Sequence, residues 1–190
     1  MTGATSGARA IRQTGLDIES FAMSDVEAWL SGPVEGIAPV LQPAAHALIQ
    51  AREEIAAHAA SASTDDLWRP RGAGATAGFH ALHLAGALDR LFTYARGEML
   101  SDAQKATARA EAVPHPELDG AALATIVREA VERALAQLRA TDPDTVLDFR
   151  GVGRARLPST VLGCLFHGAE HSARHAGQFI TALRSAPVSP

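Results

Sequence analysis

The amino-acid sequence predicts an all-α fold, namely a four-helix bundle with a long crossover between helices 2 and 3. Alanine and leucine dominate, and β-branched residues are sparse outside short runs, a composition that favours helix. Four long segments repeat their apolar residues at the 3.6-residue period of an amphipathic helix. A long stretch separates the second segment from the third, as in bundles that contain one crossover connection.

The organised part of the chain is predicted to start near residue 23. Residues 1–22 are rich in Gly, Ser, Thr and Ala and show little periodicity, so we expect a flexible N-terminal extension. Residues 23–186 are then expected to form one bundle domain. The 190 residues of the chain are enough for one domain with a sizeable core.

The first helices are indicated by their boundary residues. Ser24 and Glu27 have the spacing of a capping box, which predicts a short helix that a Gly-Pro pair ends. The first long helix is predicted over residues 37–60, with a kink or a restart at Pro43, because proline cannot donate a hydrogen bond within a helix. Trp68, in the connector that follows, is expected to anchor the core.

The second and third long helices flank the crossover. The second is predicted over residues 76–96, and Gly97 is a typical C-terminal stop. The crossover is expected to contain a short helix after Ser101. The third long helix is predicted over residues 119–140 from its amphipathic pattern.

The last part of the chain combines a short extended region with the longest helix. Two short extended pieces around Gly151–Gly153 are expected to form a small hairpin. The fourth long helix is predicted over residues 157–184, with Pro158 in its first turn, where proline is well tolerated.

Composition and charge exclude several classes of protein. Charged residues make up 20% of the chain, the net charge is −4, and no basic face is evident, so a nucleic-acid partner is not expected. No apolar run approaches the roughly 18 residues of a membrane span, and the N-terminus lacks the apolar region of a signal peptide. Cys164 is the single cysteine, which excludes an internal disulfide and fits a reducing, cytoplasmic location.

The last helix carries three histidines at four-residue intervals, His167, His171 and His175. Residues at i and i+4 lie one turn apart on the same side of a helix, so two of these imidazoles can bind one metal ion, with a further ligand from elsewhere. On a helical wheel His171 and His175 lie at the border of the apolar arc, and His167 lies closer to the charged strip. The position of the side chains therefore favours the pair His171 and His175.

The second helix offers His80 and His83 as the further ligand. On the wheel His80 lies nearer the middle of the apolar arc and His83 nearer its edge. Periodicity alone slightly prefers His80 as the inward residue, so it leaves the third ligand undecided between the two.

Two motifs carry a family resemblance. The segment His171-x-x-x-His175-Ala-Gly-Gln178 resembles the HxxxHxGQ-type signature of the DinB/YfiT-like metalloproteins. The second helix, in which His83 follows a Trp-containing connector, also resembles this family. The resemblance covers about residues 24–184. It implies a four-helix bundle with a long crossover, which typically binds a divalent metal through one histidine of the second helix and two of the fourth.

The resemblance therefore implies His83, His171 and His175 as ligands of a divalent metal ion, Zn, Ni, Mn or Fe. Ala176 stands where the family motif often has arginine. Relatives are often dimers, so the resemblance also implies a homodimer. Characterised relatives include thiol-dependent transferases and a mycothiol-dependent maleylpyruvate isomerase.

A site of this kind predicts three functions. A divalent ion on neutral imidazoles keeps its full charge, lowers the pKa of bound water and deprotonates a bound thiol. We favour an enzyme that activates a low-molecular-weight thiol for transfer or isomerisation of a small-molecule substrate. The alternatives are a metal-dependent hydrolase, for which Glu170, Asp89 and Glu98 are the nearest candidate bases, and a non-catalytic metal- or ligand-binding bundle, in which Cys164 is a conceivable fourth ligand.

Overall fold

The computed structural model describes residues 26–70 and 74–185. The predicted extension of residues 1–22 and the predicted cap Ser24 lie outside the described residues. Within the described ranges the chain is mostly helical, with one small antiparallel sheet, as expected for the all-α class. The helices are α1 (Gln42–Ala59), α2 (Thr64–Trp68), α3 (Ala77–Ala95), α4 (Asp102–Ala110), α5 (Gly120–Ala140) and α6 (Val161–Arg184), and the strands are β1 (Phe149–Val152) and β2 (Leu157–Thr160).

The region before α1 is less helical than predicted. Ala28–Leu30 forms only a 3-10 turn, and a second 3-10 turn spans Pro39–Leu41. The regular helix restarts at Gln42 with Pro43 in its first turn, where the missing N–H has no intrahelical partner to lose. The Gln42 side chain accepts a hydrogen bond from the Val34 backbone and donates to its carbonyl, which fixes the preceding loop.

Trp68 anchors the core as predicted and joins two distant segments. Its side chain is buried, and its Nε1 donates a hydrogen bond of 2.8 Å to the carbonyl of Leu118 at the end of the crossover. The ring lies against the backbone of α3 at Gly78, where a Cβ atom would lie 2.6 Å from the ring carbons. Glycine at this position therefore permits the close approach of α2 to α3.

Side-chain caps set the starts of the two central helices within one residue of the predicted positions. Thr76 accepts a hydrogen bond from the Phe79 backbone at the start of α3, and Asp119 accepts one from Ala122 at the start of α5. Between these helices, Ser101 and Gln104 form a reciprocal capping box that starts α4. The predicted crossover helix is confirmed.

The predicted start of the last helix was wrong by four residues. Residues 157–160 form β2, which pairs with β1, and Pro158 lies opposite Gly151 in this hairpin. The predicted hairpin is thus confirmed, and α6 begins at Val161 with Thr160 as its cap, since the Thr160 hydroxyl accepts from the Gly163 backbone. Proline is tolerated in the first turn of a helix and also in an edge strand of a sheet, so its presence alone did not decide where the helix begins.

The four long helices α1, α3, α5 and α6 share one apolar core. Helix α3 packs most extensively against α6 and also contacts α5, and α1 contacts both α5 and α6. Fully buried residues from each of these helices meet in this core, among them Leu48, Leu84, Leu123, Leu165 and Phe179. The adjacency of α3 and α6 brings their histidines together. In the described part of the chain, no helix is long and apolar enough to cross a lipid bilayer.

Candidate metal centre

Three histidines meet where α3 packs against α6. His83 extends from α3, and His171 and His175 extend from successive turns of α6. One ring nitrogen from each lies within 4.8 Å of the other two. The group contains the three residues that the family resemblance implies, and among the described residues no carboxylate or thiol belongs to it.

The spacing of the nitrogens suits a single ion. Nε2 of His171 lies 3.1 Å from Nε2 of His83. Two nitrogens that each lie about 2.0–2.1 Å from one ion are separated by roughly 2.8–3.4 Å in octahedral or tetrahedral geometry. The ring centroids of His171 and His175 are 4.5 Å apart, and those of His83 and His175 are 4.6 Å apart. Phe79 stacks on the His83 ring and restricts its orientation.

The two α6 imidazoles are neutral at ordinary pH. Burial lowers the pKa of His171 to about 4, with a further contribution from His83. Burial also lowers the pKa of His175 to about 4, together with the neighbouring His171 and His83. Neutral imidazole is the form that binds a metal ion, so the lone pairs of both residues are available for coordination.

The hydrogen bonds of the cluster leave one buried ring nitrogen without a partner among the described residues. Nδ1 of His83 lies 2.8 Å from a carboxylate oxygen of Glu111, which accepts its proton and leaves Nε2 of a neutral His83 as a lone pair. This lone pair faces Nε2 of His171, whose Nδ1 is buried and has no hydrogen-bond partner among the described residues. Either His171 tautomer therefore leaves a buried nitrogen unsatisfied. When the His171 proton is on Nδ1, the lone pairs of the two Nε2 atoms face each other, and a cation bound by both would remove their repulsion, so the residues fit a divalent metal.

A groove of about 440 Å³ opens beside the cluster. His80 lines it, and Nδ1 of His80 lies 3.0 Å from Nδ1 of His175. Further lining residues come from α6 and from the segment before α3: Gly74, Ala75, Arg174, Gly177, Gln178, Thr181, Ala182 and Ser185. The cluster thus lies next to a space that can hold a small molecule.

The chain matches a sequence model of the DinB superfamily over residues 47–179. This range includes all of α3, α4 and α5 and most of α6. The chain belongs to the DinB superfamily. A search of the curated proteins found no match. The matched range of this DinB-superfamily chain contains His83, His171 and His175 and also the neighbouring His80 and His167.

Glu111 is the residue of the site that sequence reasoning missed. It follows α4 in the crossover, is 4% exposed, and accepts hydrogen bonds from His83 and, at 2.5 and 3.1 Å, from Arg90. Burial alone raises the pKa of Glu111, but the hydrogen bonds from His83 and Arg90 outweigh it and hold the pKa below its ordinary value. The available signal was Gly86 inside α3, since a Cβ there would overlap the Glu111 carboxylate.

The other candidate ligands of the DinB-superfamily chain lie outside the three-nitrogen group. His80 is next to it, and burial together with His83 lowers the pKa of His80. His167 is exposed and faces Glu170 at 3.4 Å. Cys164 is buried, with its Sγ 3.8 Å from the Ser159 hydroxyl near the hairpin. Cys164, the conceivable fourth ligand of a structural site, does not belong to the three-nitrogen group.

The carboxylates considered as bases have other partners. Asp89 accepts a hydrogen bond from Gln104, and Glu98 pairs with Arg96. Glu170 pairs with Arg174 on the exposed side of α6. Since each carboxylate binds a cationic or amide group, none of the three is poised to accept a proton in the cluster.

Proposed function

We propose that this DinB-superfamily protein is a divalent-metal-dependent enzyme that acts on a low-molecular-weight thiol, in a transfer or an isomerisation. The observation that carries the proposal is the group of three imidazole nitrogens without a carboxylate. His83, His171 and His175 hold the ion, which is Zn, Ni, Mn or Fe. Because three neutral ligands leave its charge of +2 intact, the bound ion favours the deprotonated form of a thiol at neutral pH.

The groove supports thiol chemistry over hydrolysis. None of its described lining residues is acidic, so hydrolysis would depend on the His80 imidazole as the general base for water, whereas a metal-bound thiol needs no such base to lose its proton. Its polar side chains, Arg174, Gln178 and Thr181, are donors or acceptors for a small polar substrate. A metal-dependent hydrolase and a non-catalytic metal-binding bundle are the alternatives that the experiments below separate.

His80 orients one ligand and forms a wall of the groove. If Nδ1 of His175 donates its proton to Nδ1 of His80, the lone pair of the other nitrogen of His175, Nε2, would be available to hold the ion. The His80 ring also lines the groove beside the cluster. His80 is in this proposal a neighbour of the ion and not a ligand.

We also infer that the four long helices form a four-helix bundle with the crossover between α3 and α5. The inference is supported by the shared core of α1, α3, α5 and α6 and by the contacts of α3 and of α1 with both α5 and α6. A homodimer and a cytoplasmic location complete the proposal, and sedimentation of the purified protein tests the dimer.

Metal content tests the ligand set. Tag-free wild type, His83→Ala, His171→Ala and His80→Ala are to be reconstituted with Zn²⁺, dialysed and analysed by mass spectrometry. We expect near-stoichiometric metal in wild type and His80→Ala, and loss in the other two variants. His167→Ala is the matched control, because it removes a histidine one turn from His171 on the exposed side. Wild type without metal after reconstitution with Zn²⁺, Ni²⁺ or Mn²⁺ would overturn the proposal.

Thiol binding tests the reaction class. The absorption spectrum of Co²⁺-loaded wild type is expected to change on titration with cysteine or glutathione, since a ligand that enters the coordination sphere alters it. The serine analogue of each thiol is the control and is expected to leave the spectrum unchanged. A spectrum insensitive to every thiol, together with hydrolysis of ester or amide substrates, would favour the hydrolase instead.

A further inference from the structure

We infer that Glu111 is a positioning residue for the metal centre, which aligns His83 from the crossover. The inference rests on the proposed metal site and extends it to a segment outside the two ligand helices. The carboxylate of Glu111 lies 2.8 Å from Nδ1 of His83. An ionised carboxylate can only accept, so this contact keeps the proton of His83 on Nδ1 and directs the lone pair of Nε2 toward His171.

The environment of Glu111 holds its carboxylate in this place. Arg90 donates to both oxygens, and Glu111 is buried against α3. His83, Gly86 and Arg90 lie at positions i, i+3 and i+7 and therefore share one face of α3. Gly86 leaves the space that the carboxylate fills, since a Cβ at this position would overlap Oε1 of Glu111. Three residues of one helix face thus form the pocket for a single carboxylate.

The arrangement also distinguishes His83 from the two α6 ligands. His175 has the neutral His80 as its partner, and Nδ1 of His171 has no partner among the described residues. Counting partners in the described part of the chain, His83 alone of the three is hydrogen-bonded to an anion, which raises the basicity of its ligand nitrogen. We therefore expect the loss of Glu111 to weaken the metal site through His83.

The test is the Zn²⁺ affinity of Glu111→Gln, measured by competition with a chromophoric chelator at pH 7.5. Glutamine preserves the shape but has one acceptor oxygen, for which Arg90 and His83 then compete. We expect the dissociation constant to rise by about 10- to 100-fold, the usual effect of losing such a partner. The matched control is Glu117→Gln, because Glu117 accepts from His115 at 2.9 Å in an exposed pair of the same crossover. We expect its affinity to stay within about twofold of wild type.

The outcomes separate this inference from the proposed function. Wild type that binds no Zn²⁺ contradicts both. Wild type that binds Zn²⁺ with the same affinity as folded Glu111→Gln contradicts only the role of Glu111. If Glu111→Gln does not fold, the wild type alone provides the test: long-range ¹H–¹⁵N correlation spectra of the metal-free protein report which His83 nitrogen carries the proton. A proton on Nδ1 supports the inference, and a proton on Nε2 overturns it.

Discussion

The contact between Trp68 and Gly78 predicts that Gly78→Ala destabilises the protein, although alanine is the better helix former. Three carbons of the Trp68 ring lie 2.6–2.7 Å from the position of a new Cβ, whereas carbon atoms pack at about 3.5–4.0 Å. The ring must therefore recede by about 1 Å. It cannot do so freely, because its Nε1 donates to Leu118 and its neighbours are buried.

The expected magnitude follows from three opposing contributions. Overpacking of a core costs about 1–3 kcal/mol. Loss of the hydrogen bond to Leu118 adds about 0.5–1.5 kcal/mol, and the higher helix propensity of alanine offsets about 0.5–1 kcal/mol. We expect a net loss of about 0.5–4 kcal/mol in the free energy of unfolding, or a fall in Tm of about 1–16 °C for a domain of this size.

Urea unfolding of the metal-free protein, followed by circular dichroism, measures this difference. The control is Gly177→Ala in α6, where a Cβ meets nothing within 4 Å and the residue is exposed. The same substitution is expected to stabilise there by about 0.5–1 kcal/mol. Equal stabilisation by both substitutions would refute the packing of Trp68 on α3.

Four further predictions concern the candidate metal centre. Zn²⁺ at 100 times its dissociation constant should stabilise wild type by about 2.7 kcal/mol against thermal unfolding, and a chelator should reverse this; equal Tm values with and without Zn²⁺ would argue against binding to the folded state. Gly86→Ala should weaken Zn²⁺ binding by about 10-fold or more, because the new Cβ displaces the Glu111 carboxylate; chelator competition beside Gly177→Ala tests this, and unaltered affinity would contradict it. Without metal, the protein should lose stability as the pH falls from 6.5 toward 4: His171 and His175 have pKa values lowered to about 4 in the folded chain but ordinary values when unfolded, so the unfolded chain binds more protons in this window. Urea unfolding at pH 7.5, 6.5 and 5.5 measures the slope, which should be shallower in a His171→Asn, His175→Asn double variant. His167→Ala should leave the metal affinity within about twofold, since its imidazole faces Glu170 at the surface; a larger loss, measured by chelator competition, would make His167 a participant in the site.

Periodicity and boundary residues predicted the helices because those signals are local. Thr76, Ser101 and Asp119 cap their helices within the next three residues, so the start of each helix is determined by its own sequence. Pro158 shows the limit of this reasoning. Its place in β2 depends on pairing with Gly151, a contact across the hairpin that competes with helix formation.

Local sequence signals predicted only part of the candidate site. The border position of His171 and His175 on α6 is a property of one helix, and the wheel located it. The choice between His80 and His83 could not be made from one helix, because both residues lie near the packed face of α3. It depends on what approaches that face, namely Glu111 from the crossover and His175 from α6, at sequence separations of 28 and 95 residues.

Helix α4 has no buried residue of its own and contacts α3 through polar groups. The Gln104 side chain donates hydrogen bonds to Asp89 and Thr93. Just beyond the helix, Glu111 is hydrogen-bonded to His83. Segments with few apolar contacts open at low free-energy cost. Thermodynamic linkage is reciprocal, so the free energy that a docked crossover adds to ion binding is the same free energy that the ion adds to docking. Amide hydrogen exchange in residues 102–111 is thus expected to slow when Zn²⁺ is added, and the crossover then reports on the occupancy of a site to which it contributes no ligand.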